Sequence, residues 1–210
     1  MAIGTSEFGE WRPWHPQEVA RFFSALTVPW WIAGGWALDL FLGGPTRAHE
    51  DIDVQFVRRD AQAIQAVFQG WDIQEAGHPT TRPGESPFRQ WASGAPISPG
   101  IHDIWCRPTP DAAWALQLMV ADTTGDEWVF RRDKRISRPL DAIGCRTTDG
   151  LPYLAPDIQL LYKAKSLRPK DAADFAQVLP SLDGERRQWL AHALVLAHPG
   201  HPWIAHLTAQ

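Results

Sequence analysis

The stretch WWIAGGWALDLFLGGPTRAHEDIDVQF, Trp30 to Phe56, decides the fold. Trp30 to Ala33 is a short apolar run suited to a buried strand, and Gly34-Gly35 lets the backbone turn sharply and lie close to a ligand. Trp36 to Leu42 reads as a helix, ended by Gly43, Gly44 and Pro45. A second strand is expected over Asp51 to Phe56, where Asp51, Asp53 and Gln55 alternate with Ile52, Val54 and Phe56. With a side-chain period of two, both aspartates share one face while the apolar residues enter a core on the other. Carboxylates held that close repel unless a positive charge sits between them, and a divalent metal is the usual answer.

Working outward, Val19, Phe22, Phe23 and Leu26 stand at i, i+3, i+4 and i+7, which predicts an amphipathic helix over Pro16 to Leu26. On the other side Asp60 is placed to cap a helix carrying Ala61, Ile64, Ala66, Val67 and Phe68, closed by Gly70. From Trp71 the pattern turns to β, with strands expected over Trp71 to Glu75, Phe88 to Trp91, His102 to Arg107, Trp114 to Val120 and Glu127 to Arg131. The loops Gly77 to Pro87 and Ser93 to Gly100 are rich in Pro, Gly, Ser and Thr. Composition shifts near Asp149-Gly150, and from Pro156 only helices are expected: Pro156 to Ser166, Lys170 to Leu179 and Glu185 to Ala197. The expected architecture is an α/β (α+β) domain over residues 1–150, a mixed sheet flanked by helices, followed by a helical subdomain over residues 151–210.

A chain of 210 residues with 44% apolar content can bury a core of this size. Its net charge of -4 argues against a generic nucleic-acid surface, so nucleic acid is not an expected partner. Cys106 and Cys145 form no CxxC pair, which points to neither a disulfide framework nor a zinc site and fits a reducing cytoplasm. The N-terminal residues are polar and carry acids where a signal peptide would be basic and then apolar, and no apolar run reaches membrane-spanning length.

Gly34-Gly35, a short helix and Asp51-Ile52-Asp53 together resemble the signature of the nucleotidyltransferase superfamily that includes DNA polymerase β. More narrowly, GGWALD followed by TRAHEDID resembles the aminoglycoside 2''-nucleotidyltransferases and the lincosamide nucleotidyltransferases, which modify antibiotics. APDIQLLYKAKSLRPKDAADF, Ala155 to Phe175, is similar to the helical part of related enzymes. The resemblance implies a nucleotidyltransferase-like sheet and transfer of a nucleoside monophosphate, AMP from ATP, to a hydroxyl of a small acceptor, with pyrophosphate leaving. The residues suit that chemistry. Asp51 and Asp53 supply oxygen ligands for Mg²⁺, and Gly34 and Gly35 offer backbone N–H groups and a helix N-terminus to the phosphates.

The family's further acid, on a later strand, has more than one counterpart. If the relevant strand is Trp114 to Val120, its central position is Gln117, an amide that cannot act as a base. If it is His102 to Arg107, Asp103 at the strand start is the third catalytic acid, placed beside Asp51 and Asp53. Asp122 is the weaker option because Thr123, Thr124 and Gly125 make its surroundings read as a turn.

Arg47 is placed to hold a triphosphate oxygen, and His49, expected on the same face as Asp51, to bond a phosphate or orient that acid; anchoring of the loop is the bland reading for both. Asp39 reads as structural, a partner for Arg47. On the helix after Pro156 the inward face runs through Ile158, Leu161 and Tyr162 to Lys165, which makes Lys165 the candidate phosphate ligand and leaves Lys163 off the stripe. Against this stands a snorkelling lysine at the rim. Asp171 reads as a helix cap and Asp174 as a first-turn acid. Of the 12 tryptophans, Trp36 and Trp105 lie where a ligand contact is thinkable. Two other functions fit the same residues: a toxin-like enzyme acting on tRNA or protein, and a nucleotide-binding sensor without catalysis, for which Gln117 is the motivating feature.

Overall fold

The structure is a computed structural model that describes residues 4–6, 8–77 and 85–209. In chain order its elements are β1 (Gly4–Ser6), β2 (Gly9–Trp11), α1 (Pro16–Phe22), β3 (Trp30–Ile32), α2 (Gly34–Leu42), β4 (Asp53–Val57), α3 (Ala61–Val67), β5 (Asp72–Ala76), β6 (Phe88–Gln90), β7 (Asp103–Arg107) and β8 (Leu116–Thr124). They continue with β9 (Glu127–Val129), β10 (Ser137–Pro139), β11 (Gly144–Arg146), β12 (Pro152–Leu154), α4 (Pro156–Lys163), α5 (Pro169–Val178), α6 (Gly184–Ala197) and α7 (Trp203–Thr208). The chain forms two compact units: residues 1–32 with 47–121, and residues 33–46 with 122–210.

The first unit holds a mixed sheet in the order β3-β4-β8-β7-β5-β6, in which only β4 and β8 run parallel. One face is dry. Val54 and Phe56 on β4, Leu116 and Leu118 on β8, and Ile104 and Cys106 on β7 have no exposed surface, and burial pushes the Cys106 thiol well above its ordinary pKa. Helix α1 starts at Pro16, whose fixed φ suits a first helical position, and the Glu18 carboxylate accepts from the His15 N–H at 2.7 Å. The stripe that predicts α1 also seeds an aromatic cluster, with Phe22 5.2 Å from both Phe68 and Trp71, and Phe23 5.2 Å from Trp30. Asp60 occupies the N-cap of α3 without a side-chain cap bond, since a 3-10 turn over Arg58–Asp60 already leads into the helix.

The second unit gathers α2 and the C-terminal helices, with α4 packed on α2, α5 and α6. It also contains strands that the sequence pattern hides: β10, which pairs with the expected strand at β9, and the hairpin of β11 with β12. The hidden strands have three residues each, too short for a period of two to register. Asp157, fully buried at the start of α4, is held by Arg138 at 2.8 Å, whose guanidinium lies 3.9 Å over the Trp189 ring. At the far end, Phe175 stacks on Trp203 with centroids 4.2 Å apart.

His201 is fixed in one neutral tautomer. Its Nδ1 accepts from the Trp203 N–H at 3.2 Å, so Nε2 carries the proton and donates to the Ala164 carbonyl at 3.1 Å. Burial lowers its pKa below the usual histidine value, and His198 shifts the same way. A histidine whose folded pKa is lowered contributes stability that is complete above its unfolded pKa of about 6.5 and is lost as the pH falls through the folded value. The melting temperature is therefore expected to drop between pH 7.5 and 5, with a shallower dependence in His201→Gln. An equally steep pH dependence in that variant would place the effect elsewhere.

Several boundaries differ from the sequence-based expectation for physical reasons. The strand expected from Asp51 begins at Asp53, although Ile52 still accepts from the Gln117 N–H at 2.9 Å. The helix expected from Trp36 takes in both glycines. The strand expected to end at Val120 runs on to Thr124 because β9 pairs with its end, Asp122 opposite Val129, so Asp122 lies in a strand and not a turn. The helix expected to reach Ser166 stops at Lys163. The loop expected over Gly77 to Pro87 lies partly outside the described residues.

Candidate active site

In the first unit Asp53 and Asp103 stand on the second face of the sheet. Ile52 has no exposed surface, while Asp51 is exposed and Asp53 half-buried, so the two acids flank a residue pinned in the core. Only Asp53 is on a strand; Asp51 sits on irregular chain before it. Directly opposite Asp53 on β8 is Gln117, and opposite Gln117 on β7 is Trp105. Asp103 pairs with Met119, one step along the same face.

The two alternatives for the third acid converge here. Gln117 Nε2 donates to Asp103 Oδ1 at 3.1 Å, so amide and carboxylate belong to one cluster. The expectation that Asp103 lies on a strand beside Asp53 needs correcting, because β8 runs between β4 and β7. At about 4.8 Å per strand, two strands separate the Asp53 and Asp103 backbones by about 10 Å or more. The position next to Asp53 belongs to the Gln117 amide.

Arg47 and His49 precede β4 on irregular chain, so the strand period that puts His49 on the Asp51 face does not apply. Arg47 donates to the Ala48 carbonyl at 3.1 Å, a local loop contact. No group of three or more His, Cys, Asp or Glu side chains forms a metal cage among the described residues. Asp51 and Asp53 nonetheless fit magnesium by the chemistry of their donors. This ion takes hard oxygen ligands, keeps several waters and is commonly held by one or two carboxylates together with substrate phosphates.

In the second unit the glycine pair opens α2. Gly34 has φ +66, a left-handed conformation that a side chain would strain by about 1–2 kcal/mol. Its N–H is already engaged, donating at 2.8 Å to Oε1 of Gln159, which is buried on α4. Gly34 therefore shapes the turn, and Gly35 supplies the next first-turn amide of the helix. Asp39 is buried in the same helix and accepts from Thr46 Oγ1 at 2.6 Å, a structural role anchored by Thr46.

The lysine on the inward face is Lys163. Because α4 ends there, Lys165 falls on the exposed chain beyond it, and the stripe that selects Lys165 does not extend that far. Lys163 Nζ lies 2.8 Å from Asp174 and 3.3 Å from Asp171, and Arg168 Nε lies 2.7 Å from the other Asp171 oxygen. The N-cap position expected at Asp171 falls at Arg168, without a side-chain cap bond, and Asp171 and Asp174 are buried partners of Lys163. Burial would raise the Asp171 pKa, but Arg168 and Lys163 together bring it below the ordinary value.

Residues 17–85 match the family model of the aminoglycoside-2''-adenylyltransferases. A lincosamide resistance protein of Staphylococcus haemolyticus is 43% identical over 51 residues, 24% of this chain and 30% of that protein. A 2''-aminoglycoside nucleotidyltransferase of Klebsiella pneumoniae is 59% identical over 42 residues, 20% of this chain and 24% of the relative. The chain thus aligns with less than a third of the length of these curated relatives. Two solved structures match over most of the chain. ANT(2'')-Ia in complex with adenylyl-2''-tobramycin aligns with a TM-score of 0.53 over 84% of this chain and 93% of its own, at 16% identity. The lincomycin-bound lincosamide antibiotic adenylyltransferase LnuA aligns at 0.51 over 77% and 92%, also at 16% identity. The fold is that of the antibiotic nucleotidyltransferases.

Within this nucleotidyltransferase fold, motif reading misses Gln159 and the true partners of Lys163. Gln159 lies four residues before Lys163, one helical turn away, and both carry polar groups on an otherwise buried helix. A fully buried α4 is visible only in three dimensions; in the sequence these two residues read as its solvent face.

Proposed function

We propose that this protein transfers a nucleoside monophosphate, AMP from ATP, to a hydroxyl group of a small antibiotic-like acceptor. The observation that carries this reading is the placement of Asp53 on a sheet face that also holds the hydrogen-bonded Gln117–Asp103 pair, with Asp51 just beyond buried Ile52. The matched relatives and the shared fold support it. Asp51 and Asp53 would hold Mg²⁺, which supplies charge neutralisation on the triphosphate. Within the second unit, the Gly35 amide at the helix start would suit a phosphate oxygen, with Gly34 and Gln159 holding the turn. Arg47, His49 and Lys165 remain candidates for outer phosphate contacts.

In the transfer, the acceptor oxygen forms a bond to the α-phosphorus, the bond to the pyrophosphate oxygen breaks, and the hydroxyl proton passes to Asp103. Gln117 donates to one oxygen of that carboxylate and so orients the other toward the acceptor. Asp103→Asn is expected to lower kcat by about 10²–10⁴-fold with ATP affinity nearly intact. A rate within a factor of a few of wild type would remove Asp103 from the reaction.

The reading is tested by incubating the protein with Mg²⁺, ATP and a panel of hydroxyl-bearing antibiotics, following pyrophosphate release and the mass of the acceptor. Acceptor-dependent release with gain of one adenylyl group is the expected result. ATP binding without turnover on any small or macromolecular acceptor would favour a sensor, and adenylylation of tRNA or protein alone would move the chain to the toxin-like reading.

A further inference from the structure

We propose that a cavity between α3 and the β5–β6 edge of the sheet is a second ligand site, separate from the transfer reaction, and that it takes a neutral saccharide of disaccharide size. The cavity has a volume of about 420 Å³, in the range of small-molecule sites, and belongs wholly to the first unit. It lies on the side of the sheet away from Asp53 and Asp103. Ile73, in its wall, pairs with Cys106 on the dry face, whereas the neighbouring Gln74 stands in the row that runs through Trp105 and Gln117 to Asp53.

The helical wall is built from carboxamides. From Ala61 to Trp71 the chain carries no charge, although 21% of its residues are charged, and the polar side chains of α3 and the turn after it are all glutamines. Gln62, Gln65, Ala66 and Gln69 stand at i, i+3, i+4 and i+7, one stripe that lines the cavity beside the buried stripe of Ala61, Ile64 and Phe68. None of the described residues around the cavity is ionisable. A charged ligand would give up hydration there without meeting a counter-charge, while a hydroxyl, which donates and accepts, meets amides that do both. The opposite wall is fixed in advance. Buried Gln65 donates to the Ala92 carbonyl at 2.9 Å and accepts from the Gly94 N–H at 2.7 Å, and the Trp91 indole donates to the Ala95 carbonyl at 2.9 Å, so a ligand need not order this loop. Other groups are left for the ligand. The Gln62 and Gln69 amides, the Ser93 hydroxyl and the indole N–H of half-buried Trp71 make no hydrogen bond to another described residue. Phe68, Ile73 and Trp91 add apolar surface suited to the C–H faces of sugar rings.

Titration of the full chain with maltose, N,N'-diacetylchitobiose and chitobiose, followed by ligand-observed NMR and by the indole N–H signals, tests the site. Chitobiose, with its free amines, is the cationic counterpart of the diacetyl sugar. At least one neutral disaccharide is expected to bind with a Kd of about 1 mM or tighter and to shift the Trp71 indole signal, and the diacetyl sugar to bind at least about ten-fold more tightly than chitobiose. Gln62→Ala combined with Gln69→Ala should weaken neutral binding by about five-fold or more, and Ala66→Phe, which fills the cavity, should abolish it; all three positions are exposed, so the core is untouched. Absence of binding by both neutral disaccharides, equal or tighter binding of chitobiose, or unchanged affinity in both the double variant and Ala66→Phe overturns the proposal. The titration needs no nucleotide and no turnover, so its outcome is independent of the transfer reaction.

Discussion

Asp51→Asn and Asp53→Asn are each expected to lower nucleotidyl transfer by about 10³-fold or more, the largest catalytic losses in the chain. Asparagine keeps the size of the side chain and removes its charge, so packing around Ile52 should survive. The anionic oxygens suited to a divalent ion do not. The two positions should differ in a second respect. Asp51 is exposed on irregular chain, whereas Asp53 opens β4 opposite Gln117. Raising Mg²⁺ is therefore expected to recover more activity in Asp51→Asn, where water can replace the lost ligand, than in Asp53→Asn. Metal titration of the rate checks this. Near-wild-type turnover in both variants at ordinary Mg²⁺ would show that the pair does not hold the reacting metal.

The largest loss of stability is expected at a lysine. Lys163→Met should destabilise the fold by about 3–5 kcal/mol, because it strips the shared cation from Asp171 and Asp174, both buried. Arg168 stays on Asp171, so the ion pair lost is chiefly that of Asp174. Adding Asp174→Asn to Lys163→Met should recover part of the loss, which equilibrium denaturation can read; no recovery would mean that the lysine acts through packing alone. The acid side of the stability curve carries the same network. The Asp171 pKa is lowered in the fold, so its contribution is complete above about pH 4 and disappears as the pH falls through the lowered value.

What could be read from the chain alone follows the physics of each signal. The strand that carries Asp53 is legible because alternation across a strand is a two-residue property, and Val54 and Phe56 enter the core as that period requires. The Gly34-Gly35 turn was legible because few residues other than glycine adopt φ +66 cheaply. Lys165 was misplaced because a helical stripe says nothing about where the helix ends, and no glycine or proline marks the stop at Lys163. Asp103 and Gln117 looked like rivals because strand order is invisible in sequence; once β7 and β8 are neighbours, they are hydrogen-bonded partners. Gln159 had no local signal at all, since its partner is 125 residues away.

That last contact bears on how the motif could be reused. The backbone turn at Gly34 is braced by a side chain 125 residues further along the chain, within a unit assembled from residues 33–46 and 122–210. Trp30 to Phe56 is contiguous as text but not self-sufficient as a part: grafted into a foreign scaffold it would bring the glycines and the aspartates and leave behind the glutamine that keeps the turn in shape. A minimal transplant would have to carry α4 as well.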